Sequence, residues 1–225
     1  MGTSIVLAAE RAGFERVHSL QDADLVVVAV TVGALPDVVL DVLAATPESC
    51  TVTDVGSTKA SVCAAAGHSP RFVGGHPMCA GEFEGATWFL TRDDELVRAF
   101  VTALGAAPVI VDPQEHDRLV ALTSHLPHAL ANLVAHQAAG ADVAAGPSLR
   151  ELTRRAGRNP RLWSEIFLDN RKELLGALAA HREAVLALEA LLEAGDREAV
   201  EAWISYARPP SSGKPASFQS SLPPG

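Results

Sequence analysis

A chain of 225 residues, 48% hydrophobic and 20% charged, can bury a full core and fits one domain plus a smaller one, or two modest ones. Its formal charge of -9 excludes a basic stripe for neutralising phosphates, so nucleic acid is not an expected partner and small molecules or proteins remain. No apolar run reaches the roughly 18 residues of a membrane span and no signal-type core opens the chain, which predicts a cytoplasmic protein whose Cys50, Cys63 and Cys79, lacking C-x-x-C spacing, are free thiols.

In chain order, Ser4–Ala12 reads as one short helix ended by Gly13. Asp24–Val32, D-L-V-V-V-A-V-T-V, is too continuously apolar for a sheet with one wet face and reads as a central parallel strand. Leu35–Ala45 has helical spacing with Pro36 in its first turn, and Cys50–Asp54 reads as the next strand, so the three make a β-α-β unit. Arg71–Gly74 and Thr87–Leu90 add strands, Asp94–Leu104 a helix and Pro108–Val111 a last strand. The fold class predicted for residues 1–111 is α/β, a partial doubly wound parallel sheet. From 112 to 207 the pattern becomes all-helical: Pro113–Ala139, roughly Arg161–Ala194, then Asp196–Tyr206. Pro127 should bend the first of these and re-aim His125 and His128. The tail 208–225, rich in Pro and Ser, is expected to be disordered.

Thr31-Val32, Gly56-Ser57 and His76 each follow a separate predicted strand and should share the rim where open α/β sheets gather ligands. His76 stands in V-G-G-H-P-M-C-A-G, Val73–Gly81, where a neutral imidazole can take a proton from a hydroxyl. Cys79, close by, reads as a small buried residue. G-S-T-K at Gly56–Lys59 lacks the spacing of a P-loop, and no G-x-G-x-x-G with a preceding strand is present. Only 23 residues precede Asp24, so the chain reads as truncated at its start.

Around His76, T-D-V-G-S-T-K at Thr53–Lys59, T-S-H-L-P-H at Thr123–His128 and T-R-R-A-G-R-N-P-R-L-W-S-E-I-F-L-D-N at Thr153–Asn170 stand in order. Together they resemble the prephenate/arogenate dehydrogenase family of tyrosine biosynthesis, from about Asp22 to about Tyr206. The last segment is the most specific, with Thr153-Arg154, Ala156, Pro160, Trp163 and Ile166 at the family's spacing. The resemblance implies a Rossmann-like nucleotide-binding domain lacking its glycine-rich loop, an all-helical substrate and dimerisation domain, NAD or NADP as cofactor, and a homodimer. The implied reaction is oxidative decarboxylation of prephenate to 4-hydroxyphenylpyruvate, or of arogenate to tyrosine.

On the same ground His76 is the candidate base, with Ser57 orienting its ring. His128, Arg154 and Trp163 are candidates for substrate, and Thr31, Val32 and Gly56 for cofactor; no metal is expected. His125 either shares the site or packs in its helix, and His116 reads as structural. The sequence departs from the family at Thr31, where proline is usual, in a shortened segment after Cys79-Ala80-Gly81-Glu82, and at Gly146–Leu149, where a glycine-rich stretch is usual. Two other readings are a non-catalytic dimeric remnant and a metal-binding protein using His116, His125 and His128.

Overall fold

The computed structural model describes residues 1–67 and 69–207; the tail expected to be disordered lies outside them. Helix α1, Gly2–Arg11, ends at Ala12, where Gly13 takes the positive φ of +88° that glycine permits. Its buried Ile5 joins Val73, Phe83, Trp88, Leu90, Val97 and Phe100 in one core cluster.

Strand β1, Leu25–Val28, pairs in parallel with β2, Thr51–Asp54, and β2 with β3, Phe72–Val73. Helix α2, Leu35–Ala45, crosses between β1 and β2 with Pro36 in its first turn, and α3, Ala60–Ala66, follows β2. Leu35, Val39, Val52 and Val62 close the second cluster beneath them. Each such burial stabilises by about 1.5–3 kcal/mol relative to exposure.

β1 is shorter than the expected Asp24–Val32 and lies at an edge of its sheet, not at the centre. The segment before it makes a 3-10 turn at Leu20–Asp22 and not a strand, so among the described residues nothing pairs with its outer side. That edge borders a cavity of about 740 Å³ whose lining includes Ile5, Val6, Phe14, Val17 and Phe100.

After Gly74 the chain enters β4, Gly75–Pro77, which pairs antiparallel with β5, Thr87–Leu90. Helix α4, Glu95–Ala103, then leads to β6, Ala107–Ile110, parallel to β5. The second sheet is therefore mixed. Gly75 has to be glycine: a Cβ would run into the backbone carbonyl of Asp54 and stand 3.1 Å from the Trp88 indole nitrogen.

The helical half begins with α5, Pro113–Val120, capped by Asp112. Where a bent helix is expected, the chain makes a π-helical turn, Ala121–His125, closed by the Leu126 N–H on the Ala121 carbonyl and followed by α6, Leu126–Gln137, with Pro127 in its first turn. Proline brings no N–H to the helical ladder, so the wider turn forms where one bond is already missing. Helix α7, Pro147–Thr153, was not evident from periodicity. The helix expected over Arg161–Ala194 is two, α8 at Pro160–Asp169 and α9 at Arg171–Ala194, and α10, Arg197–Tyr206, closes the described chain. The break falls at Asn170, whose side-chain amide donates to the Asp117 carbonyl at 2.8 Å and lies 3.1 Å from His125 Nδ1.

Candidate active site

His76 does not sit in a free loop but in β4, opposite Phe89 of β5, and is half-buried. Its Nδ1 lies 2.9 Å from Nε2 of His116, and His116 Nδ1 lies 2.7 Å from Asp117 Oδ1. Asp117 Oδ1 also accepts the Lys59 N–H at 2.7 Å, and Oδ2 the Ala60 N–H at 2.9 Å, so the carboxylate satisfies amides at the start of α3.

These contacts decide the protons. A carboxylate oxygen only accepts, so His116 Nδ1 is the N–H donor and its neutral ring presents a bare Nε2. His76 must then donate from Nδ1, which leaves its Nε2 as a lone pair. Burial first, and then the Lys59 charge and the cost of placing a second cation beside His116 and His125, hold the His76 pKa well below the ordinary 6.5, so the ring is neutral at physiological pH. His116 is lowered too, by burial first, against an opposing pull from Asp117.

The sequence expectation gave the orienting role to Ser57. The ring's Nδ1 meets His116 instead, and Ser57 stays half-buried beside the rim. His116, read as structural, is the fully buried link. Missed altogether was Asp54, at the end of β2. It is fully buried with Lys59 in an ion pair, accepts the Gly56 N–H at 2.7 Å on Oδ2 and the Gly75 N–H at 3.0 Å on Oδ1, and so clamps the loops leading to Ser57 and His76. The available signal was the Asp and Lys flanking V-G-S-T.

In the helical half, His128 stacks on Trp163 of α8 with ring centroids 3.6 Å apart and planes 7° from parallel, and Phe167 meets both edge-on. His128 Nδ1 is buried with no hydrogen-bond partner among the described residues, and burial, then the Arg155 charge, lower its pKa. His125 is buried against Asn170, with its pKa pushed down to about 4. Arg154 is exposed at the end of α7 and is not drawn into this cluster; Arg155 is the cation that acts on His128.

Of the cofactor candidates, Thr31 is exposed beyond β1. Val32 is buried as a whole residue. Gly56 has spent its amide on Asp54, and a Cβ there would lie 2.6 Å from Leu35, so its smallness serves packing. The three histidines considered for a metal have diverging partners, and no group of three or more His, Cys, Asp or Glu side chains among the described residues is placed to hold one.

Residues 4–123 match the family model for the prephenate dehydrogenase nucleotide-binding domain, and 112–206 the model for the prephenate dehydrogenase dimerization domain. The chain belongs to the prephenate dehydrogenase family. It is 27% identical over 218 residues to prephenate dehydrogenase of Lactococcus lactis, a match covering 83% of this chain and 60% of that one. It is 27% identical over 202 residues to the Bacillus subtilis enzyme, covering 76% and 54%. The chain thus spans between half and two thirds of the length of these two curated relatives. Prephenate dehydrogenase of Aquifex aeolicus superposes with a TM-score of 0.77 at 21% identity, covering 91% of this chain and 93% of that one, a likeness of fold. A second structure from that organism, TM-score 0.77 at 23% identity over 92% and 91%, is a complex with hydroxyphenyl propionate and NAD+. Among the described residues no helix is long and apolar enough to cross a membrane.

Proposed function

We propose that the chain is a prephenate dehydrogenase-like oxidoreductase, catalysing the NAD- or NADP-dependent oxidative decarboxylation of prephenate or arogenate. In this reading residues 1–111 form the nucleotide-binding unit, 112–207 the substrate and dimerisation unit, and the protein works in the cytoplasm. The observation that carries it is the Asp117–His116–His76 chain, which leaves His76 Nε2 free to take the proton of the substrate hydroxyl.

The hydroxyls of Thr31 and Ser57, beyond β1 and β2, and the open face of His76 suit the nicotinamide half of a dinucleotide; the described residues carry no glycine-rich cradle for its pyrophosphate. The bound dinucleotide supplies the hydride acceptor. His76 removes the hydroxyl proton, Ser57 hydrogen-bonds the same oxygen, and the His128–Trp163 wall packs on the ring. Arg154 is proposed to meet a substrate carboxylate, for which a guanidinium fork is suited. The exposed Leu168, Leu175 and Tyr206 of α8, α9 and α10 support a homodimer.

The test is to supply prephenate and arogenate separately with each dinucleotide and follow reduced nicotinamide together with carbon dioxide. Stoichiometric appearance of both supports the reading. Their absence from all four combinations at millimolar concentrations overturns it in favour of a non-catalytic family member.

A further inference from the structure

Helix α8 is fastened to the α/β half at two points on one face. Glu165 Oε2 accepts the backbone N–H of Gly33, 132 residues earlier, at 3.1 Å, and Asp169 Oδ2 accepts the Ser61 hydroxyl at 2.9 Å. Residues four apart are neighbours on a helix surface, so this face spans from the loop leaving β1 to the first turn of α3, which follows β2. The same helix carries Trp163, whose ring covers His128. The Gly33 amide belongs to the 3-10 turn Val32–Ala34, which starts at Thr31.

Glu165 is only partly exposed, with Arg161 Nε 3.6 Å away on its outer side. The Gly33 amide first, then the Thr31 side chain, hold its carboxyl below the ordinary range, so the group is an anion at the bond. A hydrogen bond to a charged acceptor is worth more than one between neutral groups, and Glu165 spends it on the backbone of the other half of the molecule.

We propose that Glu165 is a positioning residue that ties the helix bearing Trp163 to the loop beyond β1, fixing the spacing between the substrate wall and the cofactor-facing loop. It touches neither reacting group. The proposal rests on the functional reading above for what the two surfaces do, but the tether itself is observable without turnover.

The experiment compares Glu165→Ala and Glu165→Gln with the parent full-length chain, using Gly33 amide exchange by NMR, the NAD+ dissociation constant by titration, and thermal unfolding as a check on folding. Alanine should speed Gly33 exchange about tenfold and weaken NAD+ binding severalfold with little change in melting, because a charge-assisted bond is lost locally. Glutamine, which keeps an acceptor oxygen, should return both to within about threefold of the parent. Unchanged Gly33 exchange in Glu165→Ala overturns the tether, as does glutamine behaving like alanine. Faster exchange with unaltered NAD+ binding overturns the positioning role. Lack of turnover in the parent counts against the proposed reaction and leaves the exchange result to decide this inference.

Discussion

His76 Nδ1 and His116 Nε2 lie 2.9 Å apart, and because His116 is itself committed to Asp117 through its other nitrogen, the contact sets which face of His76 can act as a base. A histidine held in the wrong tautomer presents an N–H where a lone pair is needed. His116→Ala should therefore lower kcat by about 10²-fold or more while KM moves less than about threefold, the pattern of a lost orienting group. Steady-state kinetics of the variant check this; a KM rise with kcat unchanged would place His116 in substrate binding instead.

Acid should unfold the protein earlier than its carboxylates alone require. Burial lowers the His125 pKa from 6.5 to about 4, and those of His76 and His116 also move down. Above pH 6.5 folded and unfolded His125 are both neutral and nothing is lost. Between pH 6.5 and 4 the unfolded chain takes up a proton that the folded one refuses, so stability falls as pH falls, by about 3 kcal/mol for His125 at the lower end. Urea midpoints at pH 7.5, 6 and 5 should decrease in that order, and His125→Gln should flatten the decrease. A midpoint independent of pH would contradict the buried neutral histidines.

The 225-residue chain should bind dinucleotide weakly, because Gly56 and Gly33 have already spent their amides on Asp54 and Glu165 and no glycine-rich turn is present among the described residues. Calorimetric titration with NAD+ and NADP+ should give dissociation constants above about 10 μM, weaker than roughly -7 kcal/mol of binding free energy. Submicromolar affinity for either would show that other donors hold the pyrophosphate.

Arg154, proposed to meet a substrate carboxylate, stands next to Arg155 in the chain, and both are exposed. Arg154→Gln should raise the substrate KM about 10-fold or more, the scale of a lost charged hydrogen bond, with kcat little changed. Arg155→Gln should act less, since its charge acts on His128 and the carboxylate contact is assigned to Arg154. The reverse order of effects would move the carboxylate contact to Arg155.

Local signals carried α2 and β5, whose limits follow from Pro36 and from the apolar run ending at Leu90. They could not carry the break at Asn170. A polar residue within an apolar periodicity does not reveal that its amide is held by a carbonyl 53 residues earlier. The edge position of β1 was hidden for a related reason: its apolar run reports burial of side chains, not the presence of a strand on each side. In the site, the motif picked out His76, His128 and Trp163, and the structure adds the stacking of the last two. His116 and Asp54 stayed hidden because what makes them matter, contacts 40 and 21 residues away with His76 and Gly75, exists only once β4 is laid beside β2 and α5.

The most direct test of the account is turnover by the parent chain and His76→Ala at millimolar NAD+ or NADP+ with saturating prephenate or arogenate. The substitution should lower kcat by about 10²–10⁴-fold, the usual contribution of a positioned general base, with a smaller change in KM. Equal rates in the two proteins would remove His76 from the mechanism and, with it, the role assigned to the Asp117–His116 pair.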